Sequence, residues 1–213
     1  MERFEKEGGT NMNIKEKLES MAKNSIELKI QDNAVYELGA TRFGGQPDVP
    51  SDFIWPTYMG ESYDHVVKER PLSFLAQFNC ADFAKYDTEH LLPDHGLLSF
   101  FYELDSMCWG FDPKDRGCAR VYWFEDISTL SAAEFPADME EDFIMPMVKI
   151  ALSQKPSYPS WQDFTEAFPD DDDDEAFNTA WEELTGEDEE DLPDRSQLLG
   201  WPDVIQNSMF EEC

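Results

Sequence analysis

The first part of the chain shows a helical hydrophobic pattern followed by a strand-like one. Ile14, Leu18 and Met21 recur at the spacing of one helix face. The segment 26–30 then alternates between apolar and polar residues, as a half-buried strand does. We expect residues 34–38 to return as its hairpin partner across a short polar turn.

Three further strands are predicted in the middle of the chain. Residues 72–78 carry apolar side chains at every second position. The segments 97–102 and 119–124 are rich in the aromatic and β-branched residues that favour strands. The apolar segment 144–152 contains Pro146, which cannot donate a ladder hydrogen bond, so we expect an edge strand or irregular structure there.

The last third of the chain changes to a helical pattern. Ser160 can cap a helix that begins at Trp161. A second helix, with an apolar face around Trp181, should end at Gly186. Strands that precede helices, rather than alternate with them, favour α+β over parallel α/β. We therefore predict a β-rich α+β fold with largely antiparallel sheet, an N-terminal helix and an acidic helical C-terminal segment.

We expect a single domain over residues 12–213, with a β-rich part at 12–127 and an acidic, more helical part at 128–213. Residues 1–11 are expected to be a non-native or flexible leader. The first alternative arises because codons for Lys-Glu-Gly-Gly can form a bacterial ribosome-binding sequence just upstream of Met12. The second is an ordinary tail.

The composition adds a large excess of acid. The chain has 47 Asp and Glu against 16 Lys and Arg, for a net charge of −31, and 24 of the acids lie in residues 131–213 with 3 bases. A field of this sign repels nucleic acid and anionic membranes and attracts basic proteins. We therefore expect a basic protein as partner, with no nucleic-acid or membrane binding. The alternative is that the charge serves solubility alone.

The chain also lacks signals for export. No segment approaches the roughly 20 apolar residues of a membrane span. The first residues lack the apolar region of a secretory signal, and the four cysteines show no pairing pattern. Together these features predict a cytoplasmic protein with reduced thiols.

No motif for catalysis or metal binding stands out. The acidic run 170–175 partly fits a calcium loop, but Ala176 occupies the position where the template requires glycine. We favour a solvated acidic run at a helix N-terminus. The cysteines and histidines match no zinc or nucleophile pattern. We predict no catalytic residue, no metal ligand and no cofactor.

The segment around Arg42, Gly44 and Gly45 is the first candidate binding site. Adjacent glycines can present backbone N–H groups to an anion, which Arg42 could then neutralise. On the alternative interpretation, which we favour, the glycines only permit a sharp bend.

Three loop tryptophans are further candidates for a recognition surface, namely Trp55, Trp109 and Trp201. Asp203 and Gln206 could add polar contacts beside the third of them. The alternative is that each tryptophan covers the edge of a core and that the polar residues cap the local backbone.

Several segments resemble the YwqG-like bacterial family of unknown function and occur in that family's order. They read TRFGGQPDVP at 41–50, WP at 55–56, LSFLAQF at 72–78, LPDHGLLSFF at 92–101, LLGWPD at 198–203 and IQ at 205–206. We add Gln77, from the third segment, to the candidate binding residues. The resemblance implies a mostly β fold with flanking helices and supplies no established activity.

The same resemblance bears on function and on the end of the chain. Some relatives lie near bacterial toxin genes, which implies a toxin-neutralising role by association. Family members usually continue with another strand-rich segment where this chain stops at Cys213. If those strands normally complete the sheet, the chain exposes a sheet edge.

We predict from these observations a non-enzymatic, acidic protein-binding module of the immunity type. Two alternatives stay open. One is a small-ligand or divalent-metal-binding domain that uses the 42–45 loop or the acidic run. The other is an enzyme of unrecognised type, because acids are abundant enough to form a carboxylate pair in almost any cleft. The sequence does not fix the oligomeric state.

Overall fold

The computed structural model describes residues 12–31, 35–61, 65–106, 108–110, 112–186 and 196–202. In this part of the chain, the α-helices are Ile14–Met21 (α1), Cys80–Phe83 (α2), Trp161–Ala167 (α3) and Asp174–Thr185 (α4). The strands are Lys23–Gln31 (β1), Arg42–Phe43 (β2), Asp48–Pro50 (β3), Thr57–Glu61 (β4), Val67–Pro71 (β5), Ser73–Asn79 (β6), Leu97–Tyr102 (β7), Ala119–Phe124 (β8), Leu130–Ala132 (β9), Val148–Ser157 (β10) and Gln197–Leu199 (β11). The predicted leader, residues 1–11, lies outside the described residues.

The predicted α+β class is confirmed. A seven-stranded antiparallel sheet has the order β11-β1-β10-β2-β6-β7-β8, and two small sheets pair β3 with β9 and β4 with β5. The chain separates into two compact units, one formed by Met1–Glu27 with Gln154–Cys213 and the other by Leu28–Ser153. We call them the terminal unit and the central unit. The division expected from the sequence at residue 127 stays a prediction.

The central unit is built on the antiparallel meander of β6, β7 and β8. Phe74 lies opposite Phe101 in the register, and Phe101 lies opposite Arg120. Leu72, Phe74 and Phe101 are almost fully buried and form an apolar cluster with surrounding aromatic rings. The three strands predicted in this region are therefore confirmed to within a residue. They form because alternating aromatic side chains can be buried together on one face of the sheet.

The terminal unit holds an aromatic core between α1, α3 and α4. Leu18, Phe164 and Phe177 are fully buried, and Trp181 is nearly so. The predicted boundaries depend on local capping. The Ser160 hydroxyl accepts a hydrogen bond from the backbone N–H three residues later. Asp173 caps α4 in the same way, and Gly186 ends that helix in the left-handed conformation.

One prediction about strands is wrong and a second is wrong in part. Residues 35–38 form no strand, and β1 is paired instead with β11, with Ile26 opposite Leu198. The segment 144–152 was expected to be an edge strand or irregular: residues 144–147, around Pro146, are irregular, but β10 that follows is no edge strand, because it lies between β1 and β2 in the sheet. Pro146 does not interrupt its ladder, because the strand begins two residues later at Val148. Pairing partners far apart in sequence decided both outcomes.

Alanine at Gly44 should destabilise the protein more than alanine at Gly110. Both glycines have positive φ, +56° and +78°, so each substitution should cost about 1 kcal/mol in backbone strain. A Cβ at Gly44 would lie 2.2 Å from the Pro146 carbonyl oxygen, whereas nothing lies within 4 Å of one at Gly110. We expect Gly44→Ala to lower the free energy of unfolding by about 3 kcal/mol in total.

Urea unfolding followed by tryptophan fluorescence measures both variants under the same conditions. Equal losses in the two variants would mean that the approach of the Pro146 carbonyl to Gly44 does not constrain the fold.

Candidate functional site

The sequence candidates Arg42 and Gln77 meet at one buried carboxylate. Asp48 is fully buried and accepts hydrogen bonds from Arg42 Nη1 at 3.0 Å and Gln77 Nε2 at 2.6 Å. The Gly39 N–H and the Tyr36 hydroxyl donate to it at 2.8 and 2.9 Å. The Asp48 N–H in turn donates to Gln77 Oε1 at 3.0 Å. We call these groups the Asp48 network.

Asp48 is charged within this network. Burial alone would raise the pKa of its carboxyl group, but the hydrogen bonds from Gln77, Arg42 and Gly39 hold that pKa below its usual value. Arg42 is 3% exposed and also donates to the Gln46 carbonyl at 2.6 Å. The network is therefore a buried ion pair with its own hydrogen-bond donors, and its geometry is that of a structural support.

The backbone N–H groups of Gly44 and Gly45 in the Arg42-Gly44-Gly45 loop are hydrogen-bonded within the fold. The Gly44 N–H donates to the Leu75 carbonyl at 2.8 Å, and the Gly45 N–H donates to the Met145 carbonyl at 2.9 Å. Both glycines have positive φ. The alternative interpretation from the sequence, a bend that only glycine accommodates, accounts for these contacts. Arg42 already has its carboxylate partner in Asp48.

The three tryptophans occupy different environments. The Trp55 indole donates to the Leu72 carbonyl at 2.9 Å and packs edge-on against Phe101. The Trp201 indole donates to the Met21 carbonyl at 2.8 Å. Trp109, by contrast, is 77% exposed. Only Trp109 of the three thus keeps a mostly free face for recognition. Asp203 and Gln206 lie outside the described residues.

The edge strand β8 presents a second exposed apolar feature. Tyr122 and Phe124 face inward, where both rings pack edge-on against Phe53 at 5.2 and 6.0 Å between centroids. On the opposite face, Val121 and Trp123 are 56% and 44% exposed. Because β8 ends the strand order, one side of its backbone is unpaired among the described strands. We call Val121, Trp123 and this free backbone the β8 edge.

A second polar cluster surrounds Arg70, which the sequence did not single out. Arg70 is 4% exposed, and its Nε donates to the Asp105 carboxylate. Its two terminal nitrogens donate to backbone carbonyls, including that of Gly60 at 2.6 Å. The nearby Glu103 is 1% exposed and accepts from the N–H groups of Asp105 and Ser106 at 3.0 and 2.8 Å. A cleft of about 150 Å³ lies beside this cluster.

Two of the thiols, those of Cys80 and Cys108, are held in their neutral form. Burial raises the pKa of Cys80 to about 11. Burial and the neighbouring Cys118 raise the pKa of Cys108 to about 12. Thiols with such values are poor nucleophiles at neutral pH, because only the thiolate attacks. His95 is exposed, with its ring paired to the Asp94 carboxylate at 2.6 Å.

The acidic run at 170–175 lies at the N-terminus of α4. Asp173 is the capping residue, with its carboxylate 3.0 Å from the Ala176 nitrogen, and Asp171 pairs with the Lys17 ammonium at 2.5 Å. Across the described residues, no group of three or more His, Cys, Asp or Glu side chains is arranged to hold a metal ion. No helix in the same part of the chain combines the length and apolar character needed to cross a bilayer.

Fold and site together define an acidic α+β protein whose most polar buried cluster supports the sheet. A family model described as a domain of unknown function (DUF1963) matches residues 41–212, and the chain belongs to that family. No curated protein shows significant sequence similarity to the chain.

Sequence reasoning missed two of the residues at the centre of these clusters. Asp48 lies in the segment 41–50 that carried the family resemblance, but a single Asp in a segment rich in Gly and Pro has no periodic signature. Arg70 is the next-to-last residue of β5, Val67–Pro71, which pairs with β4. Its neighbours in sequence, Glu69 and Pro71, are depleted in strands, so nothing in the sequence indicated a buried arginine.

Asp48→Asn should strongly destabilise the central unit at neutral pH. The amide oxygen could still accept from Gln77 and Gly39 while the new NH2 faces the Tyr36 hydroxyl, but Arg42 would lose its countercharge. Removing one partner of a buried ion pair costs about 3–5 kcal/mol of unfolding free energy. Urea unfolding measures the loss. Asp52→Asn is the matched control, because Asp52 is exposed and should change stability by less than about 0.5 kcal/mol.

The stability gap between wild type and Asp48→Asn should narrow in acid. Since the folded-state pKa of Asp48 is depressed, its contribution is complete above the unfolded-state pKa and is lost as pH falls toward the folded value. The gap should hold steady above about pH 5 and shrink below about pH 4. Unfolding free energies measured across this range test the expectation, and a constant gap down to about pH 3 would contradict it.

Proposed function

We propose that the protein is a non-enzymatic acidic module that binds a basic protein, with the β8 edge as the contact surface. The observation that carries the proposal is the exposure of Val121 and Trp123 on an unpaired strand at the end of the sheet. An extended partner segment can add to such an edge through main-chain hydrogen bonds and place alternate side chains on the apolar face.

The charge of the chain supports a basic partner. At −31, the net charge creates a long-range field that accelerates encounter with cationic proteins. The β8 edge itself is apolar, with Arg120 as the charged residue of the strand. On this proposal, the distant carboxylates steer the partner and the edge holds it. This division matches interfaces whose apolar centre lies within a charged surround.

The buried polar groups favour a binding role over a catalytic one. Arg42 and Gln77 both donate hydrogen bonds to Asp48. Cys80 and Cys108 are held as neutral thiols. A nucleophile or a general base needs an accessible group with a pKa near the working pH, and these groups lack that combination.

The family resemblance refines the proposal. We infer that the chain is a YwqG-like member of its family and that the basic partner is a toxin that it neutralises in the cytoplasm. An unpaired edge with exposed apolar residues calls for a covering strand, and a partner can supply one.

Val121→Lys should abolish partner binding while leaving the fold intact. A lysine on an exposed edge blocks strand addition and repels a basic partner. Val35→Lys is the matched control, because Val35 is 86% exposed and the change in charge is the same. Wild type, Val121→Lys and Val35→Lys are each immobilised and exposed to the native cytosol, and bound proteins are eluted over a salt gradient. The retained protein is then purified and titrated against all three forms.

The expected result is one basic protein held stoichiometrically by wild type and Val35→Lys and lost from Val121→Lys. Its association with wild type should slow by about tenfold or more between about 0.05 and 0.5 M salt, because salt screens the steering field. A partner retained equally by Val121→Lys would exclude the β8 edge. An association rate that ignores salt would exclude steering by charge.

A further inference from the structure

The cleft beside Arg70 has the composition of a site for a cationic group. It lies wholly within the central unit, and carboxylates outnumber cations among its lining residues by five to two. The five acids are Glu69, Glu103, Asp105, Asp138 and Glu140, and the two bases are Lys68 and Arg70. Met139 and Phe143 supply apolar wall on one side.

Most of the charged groups already have partners. Arg70 donates from each guanidinium nitrogen to groups of the fold. Glu103 is capped by the backbone of Asp105 and Ser106. The Lys68 ammonium lies 3.0 Å from one oxygen of Glu140. Asp138, in contrast, forms no ion pair or side-chain hydrogen bond within the described part of the chain, so its acceptor capacity is open.

Ser73 gives an independent indication of a ligand. The residue is 1% exposed and lines the cleft. Its neighbours Leu72 and Phe74 both pack into the aromatic cluster on one face of the sheet. Since side chains alternate along a strand, Ser73 points to the opposite face, where the cleft lies. Its hydroxyl has no hydrogen-bond partner in the described residues, although buried hydroxyls normally have one.

The size of the cleft limits what it can take. Its volume of about 150 Å³ is roughly five times the share of one water in the liquid. Sites for drug-sized ligands start at roughly 300 Å³. The cleft therefore suits the end of one side chain, with a polar head of a few atoms and a short apolar stem.

We propose that this cleft binds an alkylammonium or guanidinium group. The charged head lies among Asp138, Glu140 and the Ser73 hydroxyl, each of which accepts a hydrogen bond from it. The aliphatic stem packs against Met139 and Phe143. Such a group is carried by a lysine or arginine side chain of a protein and by free diamines. The assignment of this group to a protein side chain rests on the proposed function. The assignment of a cationic head group to the cleft does not depend on it.

The test uses the full chain with isotope-labelled methionine methyl groups, read by NMR. Met139 lines the cleft, whereas Met59 and Met145 are exposed elsewhere and report non-specific effects. The probes are Nα-acetyl-lysine methylamide, its arginine counterpart, and cadaverine as the free diamine. Nα,Nε-diacetyl-lysine methylamide is the neutral control, because it keeps the stem and removes the charge.

We expect saturable shifts of the Met139 methyl group with the cationic probes and none with the diacetylated control. Asp138→Asn and Ser73→Ala should each weaken binding by roughly tenfold, as loss of a hydrogen bond to a charged group does. Asp94→Asn, an exposed carboxylate outside the cleft lining, should leave binding unchanged. Ser73→Ala should also keep the melting temperature of wild type, since its hydroxyl has no partner to lose.

The outcomes separate this inference from the proposed function. Tighter binding of the amino-acid amides than of cadaverine assigns the cleft to a protein side chain, and the reverse assigns it to a free diamine. Equal shifts at Met139, Met59 and Met145, or unchanged binding in Asp138→Asn, overturn the cleft site. If the cleft site is overturned but a basic protein still needs the β8 edge to bind, the proposed function stands.

Discussion

The buried carboxylate of Asp48 ties together parts of the chain that the strand ladders alone hold weakly. β2 contributes two residues to the sheet, Arg42 and Phe43, with two register positions on each side. Such a short ladder gives little stability of its own. The Arg42 side chain pairs with Asp48 on β3, and Asp48 is also bound by Gln77 on β6. Because a buried charge without its partner is strongly unfavourable, these side chains fix where β2 lies. The bend at Gly44, closed by the Leu75 carbonyl, then follows.

This network gives a structural explanation for two of the residues that were candidates for ligand binding. Arg42 and Gln77 have the polarity of ligand-binding groups, but each is buried and directed at Asp48. The segments 41–50 and 72–78, which carried the family resemblance, contain all three. The resemblance therefore rests largely on residues that build the fold, which explains how a family can be recognised from its sequence while its activity is not apparent there. Function has to be sought at surfaces such as the β8 edge.

Local patterns predicted those elements whose determinants are themselves local. α3 was found through its cap, since Ser160 bonds to an N–H group three residues later, and α4 through its apolar face and its end at Gly186. The partner of β1 was missed because it lies at Leu198, far along the chain, and hairpin rules consider only neighbours. The surroundings of the candidate residues were missed for the same reason. The N–H groups of Gly44 and Gly45 look available in sequence, but distant carbonyls satisfy them. An exposed edge such as β8 is likewise a property of strand order, which periodicity does not encode.

The charge of the chain and its open edge constrain each other. Unpaired strands with apolar side chains tend to pair with one another, and β8 has both features. Two copies that met through β8 would bring together molecules of net charge −31. This repulsion persists at contact, because charges that lie within the screening length of about 8 Å at physiological salt are only partly screened. A basic segment meets attraction instead of repulsion at the same edge. On the proposed function, the acidic surface therefore has two effects: it disfavours self-association through β8 and selects for a cationic partner.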